Sequence, residues 1–166
     1  LDFARALNQI ARNVGFERPE SRPVVHPTAE VSPQAFIGPG VEIGAHSVIS
    51  PLAFIGQGTR IGSNCVVKSG AVIGQDGFGF ERDENGLPIR LVHLGFVVIG
   101  NNVEIGSLTT VCRGTLDNTV IEDHAKVDDH VHVAHNVHIG VGAMVVACAE
   151  LSGDVVLGRG SWIGPN

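Results

Sequence analysis

The chain has no tyrosine, and aromatic residues make up only 5% of its 166 residues. A core built without large rings must be aliphatic, filled by repeated backbone layers rather than by a few bulky anchors. Charge is scarce too: Asp, Glu, Lys and Arg total 17%, the net charge is −6, and Lys and Arg never form a run. That balance excludes a basic nucleic-acid footprint and a polybasic membrane patch. No apolar stretch approaches the ~18 residues of a membrane span, so no integral membrane segment is expected. No secretory signal pattern is visible. Cys65, Cys112 and Cys148 are odd in number and lack metal-type spacing, which points to reduced thiols and a cytoplasmic location.

Aliphatic residues and glycine are what the chain does have. Hydrophobic residues reach 43%, and glycine occupies 22 of 166 positions, well above the usual share of about 7%. The aliphatic residues recur every six positions: Val25, Val31, Ile37, Ile43, Ile49, Ile55, Ile61, Val67 and Ile73. The series resumes at Ile99, Ile105 and Val111, and again at Ile121, Val127, Val133, Ile139, Val145, Leu151, Leu157 and Ile163. Two residues before most anchors sits something small or slim, such as Ala35, Ser47, Ala53, Thr59, Ala125 or Ala143. Residues two apart share one face of a strand. Each short strand therefore sends one aliphatic and one small side chain inward, then turns a corner. Three strands close a triangular coil of 18 residues, and stacked coils bury a continuous aliphatic column. The fold class is all-β, a hexapeptide-repeat parallel β-helix of about seven coils, spanning 24–166.

Two breaks interrupt the period. The stretch 74–98 carries glycine, charge and aromatics and reads as a loop extruded from the prism. A smaller bulge falls at "CRGTLDN", residues 112–118. Ahead of the prism, residues 1–23 form a lead-in. Phe3, Leu7, Ile10 and Val14 have helical spacing and predict a short amphipathic helix packing on the first coil or on a missing neighbour. A Pro-rich connector, "ERPESRPVVHP", follows. The chain starts at Leu1 without Met and stops partway through a repeat, so both ends are expected to be truncated.

Four histidines, His130, His132, His135 and His138, fall between residues 130 and 138. With Val131, Val133, Val137 and Ile139 inward, all four face outward or sit at a corner. Stacking singles out His135. Eighteen residues on, Gly153 lies directly above it, with a backbone N–H that a substrate can approach. One coil below, allowing for four extra residues, lies Arg113. Asp128, seven residues earlier and around a corner, is placed to hold the other imidazole nitrogen. His132 and His138 read as solvated bystanders.

The stretches "DGFGF" (76–80), "LGFVVIGNNVEIGSLTTVCRGTLDNTVIED" (94–123) and "KVDDHVHVAHNVHIG" (126–140) resemble the UDP-3-O-acylglucosamine N-acyltransferase family of lipid A synthesis. The resemblance runs over nearly the whole chain, including the "LDFARAL" lead-in. It implies a left-handed helix and a homotrimer with active sites between prisms. It implies transfer of a 3-hydroxyacyl group from acyl carrier protein, through its phosphopantetheine, to the amine of a UDP-acylglucosamine. No other cofactor and no metal are implied. The family's general base matches His135, its acidic support matches Asp128, and its oxyanion donor matches Gly153. Arg113, Asn136, Phe78 and Phe80 are the corresponding substrate-binding candidates. Three positions depart from the family's pattern: Cys112 replaces an Asp, His93 a Gln, and Asp129 an Asn.

Other readings remain open at this point. An acetyl-CoA-dependent nucleotide-sugar acetyltransferase uses the same chemistry with a smaller donor. Gamma-class carbonic anhydrases share the prism and bind zinc through a His-x4-His pair plus a third histidine across a subunit boundary. His130 and His135 have that spacing, and His93 lies upstream. A non-catalytic prism is the third.

Overall fold

The computed structural model describes residues 3–13 and 21–165. Its body is a left-handed parallel β-helix with three flat faces. The first face stacks Val24–Val25, Glu42–Ile43, Arg60–Ile61, Val97–Ile99, Thr119–Ile121, His138–Ile139 and Val156–Leu157. The second stacks Glu30–Val31, Val48–Ile49, Val66–Val67, Glu104–Ile105, Lys126–Val127, Met144–Val145 and Trp162–Ile163. The third stacks Phe36–Ile37, Phe54–Ile55, Val72–Gln75, Thr110–Cys112, His132–Val133 and Glu150–Leu151.

Every six-residue anchor lies in one of these strands. From Ile43 to Leu157 all of them are buried, together with small partners such as Ser47, Ala53, Thr59, Ala71, Ala125 and Ala143. Val25 is exposed, and Val31, Ile37 and Ile163 are only partly covered, because among the described residues no further coil lies beyond them. Each coil's anchor sits on the equivalent anchor of the next, as Ile121 on Ile139 and Val133 on Leu151. The stacked backbones are hydrogen-bonded across coils, for example Ala134 N–H to Leu151 O at 2.9 Å and His138 N–H to Val155 O at 2.9 Å.

Both interruptions leave from the corner between the third and first faces. The extruded loop is tighter than its sequence limits, because Val72–Gln75 and Val97–Ile99 stay in the ladders. Residues 76–96 project, and within them Phe80–Arg82 and Pro88–Arg90 form an antiparallel hairpin. The smaller bulge occupies 113–118, with a register shift at Val111/Cys112.

Helix α1 (Phe3–Asn13) forms as its spacing predicts, but its partner differs. It packs on the hairpin rather than on the first coil. Ala4 and Leu7 are the buried residues, while Phe3 and Ile10 are more than half exposed. Polar bonds fix this docking. Ala4 N–H donates to Glu81 Oε2 at 2.9 Å, Asn8 Nδ2 donates to Arg90 O at 2.8 Å, and Val92 N–H donates to Asn8 Oδ1 at 3.0 Å. Val14 and the start of the Pro-rich connector lie outside the described residues. All three cysteines are free thiols. Among the described residues no helix is long and apolar enough to cross a membrane.

Since the core is one aliphatic column, removing a central layer leaves a cavity that the stacked coils cannot close. Ile121→Ala is expected to cost about 2–5 kcal/mol in denaturant unfolding. A loss under about 1 kcal/mol would mean that the column tolerates voids.

Candidate active site

The turn 134–137 joins the third face to the first, at the corner where both insertions emerge. His135 and Asn136 occupy it. Asn136 has φ 62°, a left-handed conformation that Asn tolerates better than most residues. That geometry turns its amide back onto the bulge below. Asn136 Oδ1 accepts the Thr115 N–H at 3.0 Å, and Nδ2 donates to Asp117 O at 3.4 Å. The backbone N–H of Asn136 donates to Thr119 Oγ1 at 2.9 Å. The amide is therefore oriented, with its oxygen committed as an acceptor.

His135 Nδ1 lies 3.0 Å from that same oxygen. An oxygen that only accepts requires the proton on Nδ1, which leaves Nε2 with a bare lone pair. Asn136, read from the sequence as a substrate-binding residue, is occupied within the protein and sets the tautomer of its neighbour. Asp128 was expected in that place, and within this chain Asn136 occupies it instead. Asp128 sits at the corner between the second and third faces, where its Oδ2 accepts the Ala147 N–H at 3.1 Å. Seven residues span more than one edge of an 18-residue coil, so the two side chains turn different corners.

Gly153 is where stacking placed it. Asp154 N–H donates to His135 O at 3.1 Å, which seats the upper turn on the lower one. A Cβ at Gly153 would lie 2.7 Å from His135 Cε1 and 2.9 Å from Nε2, so only glycine fits against the ring. Among the described residues, the Gly153 N–H makes no hydrogen bond. Arg113 is in the column below but is buried rather than presented. Its Nη2 donates to Gln57 O at 2.6 Å, and the guanidinium lies 5.1 Å from the Phe96 ring. It also lines a cleft of about 210 Å³ beside the stacked rings of Phe36 and Phe54.

The loop covers the other side of the imidazole. A Cβ at Gly77 would meet His135 Cδ2 at 3.3 Å and His93 Nε2 at 3.2 Å. Phe78 and Phe80 point away from the histidines. Phe78 is 89% exposed, and their rings meet at 4.9 Å on the hairpin's outer surface, beside an apolar hollow of about 470 Å³. The remaining histidines disperse. His130 is exposed at the corner of Asp128, His132 is exposed on the third face, and His138 Nε2 pairs with Glu122 Oε1 at 2.9 Å. Among the described residues no three His, Cys, Asp or Glu side chains converge as metal ligands.

No family model matches the chain. Over 85 residues, 51% of the chain, it is 44% identical to the UDP-3-O-acylglucosamine N-acyltransferase of Rickettsia prowazekii (strain Madrid E) and to UDP-3-O-acylglucosamine N-acyltransferase 2 of Legionella pneumophila (strain Lens). The matched stretch spans only 24% of each of those proteins. In three dimensions the chain is similar to the Francisella novicida UDP-N-acetylglucosamine acyltransferase, with a TM-score of 0.59 and 22% identity, covering 87% of this chain and 60% of that one. This last likeness bears on the fold alone.

His93 is the member of the site whose place the sequence did not reveal. It is fully buried, and its ring stands edge-on to His135 with centroids 5.7 Å apart. Nδ1 lies 3.1 Å from Leu91 O, while Nε2 is buried without a partner. An unpaired buried acceptor costs ~1–3 kcal/mol. Burial holds the His93 imidazole below its ordinary value, against a smaller opposing pull from Asp76. In the unfolded chain this ring takes up a proton near its ordinary pKa of about 6.5. The folded chain takes it up only at lower pH. The stability that neutral His93 contributes is therefore full above about pH 6.5 and is lost as pH falls below it. Between about pH 7.5 and pH 5, wild type is expected to lose more unfolding free energy than His93→Gln. Parallel pH profiles would show that this ring is not buried in its neutral form.

Proposed function

We propose that the protein carrying this chain is an N-acyltransferase. It moves a 3-hydroxyacyl group from acyl carrier protein to the amine of a UDP-glucosamine derivative, in a lipid A type pathway. The observation that carries this reading is the bare Nε2 of His135 beside the unoccupied N–H of Gly153. The relatives named above, acyltransferases of UDP-acylglucosamine, support the substrate class. The reading carries with it a phosphopantetheine thioester as donor, cytoplasmic action, and a homotrimer whose neighbouring prisms close the site.

The chemistry follows from the two groups. An amine attacking a thioester must shed a proton as the carbon–nitrogen bond forms. A neutral imidazole with a free lone pair suits that task. Asn136 keeps the accepting nitrogen on the substrate's side and steadies the imidazolium that results. Negative charge develops on the carbonyl oxygen, and a fixed backbone N–H at 153 stabilises it without reorganisation. The protonated ring then returns its proton to the departing sulfur, which restores the starting tautomer.

His135→Ala is expected to lower turnover of a UDP-3-O-acylglucosamine acceptor by about 10²–10⁴-fold with an unchanged thermal midpoint. Turnover within about twofold of wild type would remove His135 as the base. Gly153→Ala places a methyl against the imidazole. It is expected to reduce turnover at least as much as loss of one oxyanion donor does, about 10²-fold or more.

A further inference from the structure

Two imidazoles stand side by side at the corner, each with a bare Nε2, and that of His93 is buried. Leu91 O only accepts, so His93 carries its proton on Nδ1. His93 Nε2 and His135 Cδ2 both press on the position of the missing Cβ of Gly77. A single bare nitrogen suffices to take one proton from an attacking group. The second, enclosed and unpartnered, has no role in the mechanism above.

The hydrogens on an acceptor amine provide one. A neutral primary amine brings two. As nitrogen attacks the thioester carbonyl, the carbon–nitrogen bond forms and one proton passes to His135 Nε2. The carbon–sulfur bond then breaks, and His135 returns that proton to the sulfur. The other hydrogen stays on nitrogen and becomes the amide N–H. A hydroxyl acceptor brings one hydrogen, loses it to the base and has none left for a second acceptor.

We propose that His93 Nε2 accepts a hydrogen bond from the N–H that the acceptor nitrogen retains, and so selects an amine over a hydroxyl on the same sugar. The inference rests on the acyl-transfer reading and deepens it by naming the group that recognises the acceptor atom. Reaching His93 requires the strap at 76–79 to shift. Its fastenings there are the 3.3 Å bond from Arg90 Nη1 to Gly77 O and the 2.9 Å bond from Leu91 N–H to Gly79 O.

The test is equilibrium binding by calorimetry to the full-length protein, wild type, His93→Leu and His93→Gln. The probes are UDP-3-O-acylglucosamine and its 2-hydroxy counterpart, UDP-3-O-acylglucose. Wild type is expected to bind the amine about tenfold more tightly. His93→Leu brings the two within about twofold, and His93→Gln, whose amide oxygen still accepts, keeps the preference. Equal affinities in wild type overturn the proposal without recourse to any variant. So does a preference that survives in a folded Leu variant, or one lost in a folded Gln variant. Binding of neither probe by wild type instead overturns the acyl-transfer reading, and this proposal with it.

Discussion

The interaction on which everything else depends is the backbone hydrogen bond from one coil to the next. Its repetition every 18 residues locks each position above its equivalent, as Ala134 beneath Ser152 and His138 beneath Val156. The bond tolerates insertion only where the chain is already turning. Both insertions leave at the corner between the third and first faces, and each ladder resumes in register above them. The corner therefore collects all the irregular backbone of the prism, while the aliphatic column behind it continues without a break. Loops held on a rigid scaffold are where binding and catalytic residues concentrate, and this corner combines the two.

The small bulge does more than interrupt the repeat. Its Thr115 N–H and Asp117 carbonyl grip the two ends of the Asn136 amide, and the amide oxygen in turn fixes the His135 proton on Nδ1. A chain of three hydrogen bonds thus runs from an insertion in one coil to the protonation geometry of the coil above. Without the extra residues, position 136 has no backbone donor of this kind beneath it. The oxygen that holds the imidazole's proton thus belongs to a neutral amide and not to a carboxylate.

The period of six made the shaft, its inward residues and the pairing of His135 with Gly153 legible, since stacking at 18 is arithmetic once the anchors are known. What was lost lies where side chains are long or the period stops. Arg113 has its backbone in the expected column, yet its guanidinium reaches away to Gln57 O and the Phe96 ring. Asp128 lies apart from His135 within this chain because seven residues along a triangular coil lead to another corner. The helix docks away from the first coil because Leu7 meets a hairpin, a partner no periodicity announces, and Phe3 and Ile10 stay more than half exposed. His93 sits in the non-repeating loop, so nothing in the spacing placed its ring beside His135.

The loop motif itself becomes intelligible from the rings it covers. Residues two apart on an extended chain share a face. Gly77 and Gly79 are two apart, and a Cβ on either would press on His93, that of Gly77 also on His135. Phe78, between them, faces the opposite way and is almost fully exposed. The alternation in "DGFGF" therefore separates a bare-backbone underside, thin enough to lie on two imidazoles, from an aromatic outer surface that can meet another molecule without disturbing them. Side chains at 77 or 79 would lift the roof off the histidines. The glycines set how tightly the two imidazoles are enclosed, and the phenylalanines form the hairpin's outer face.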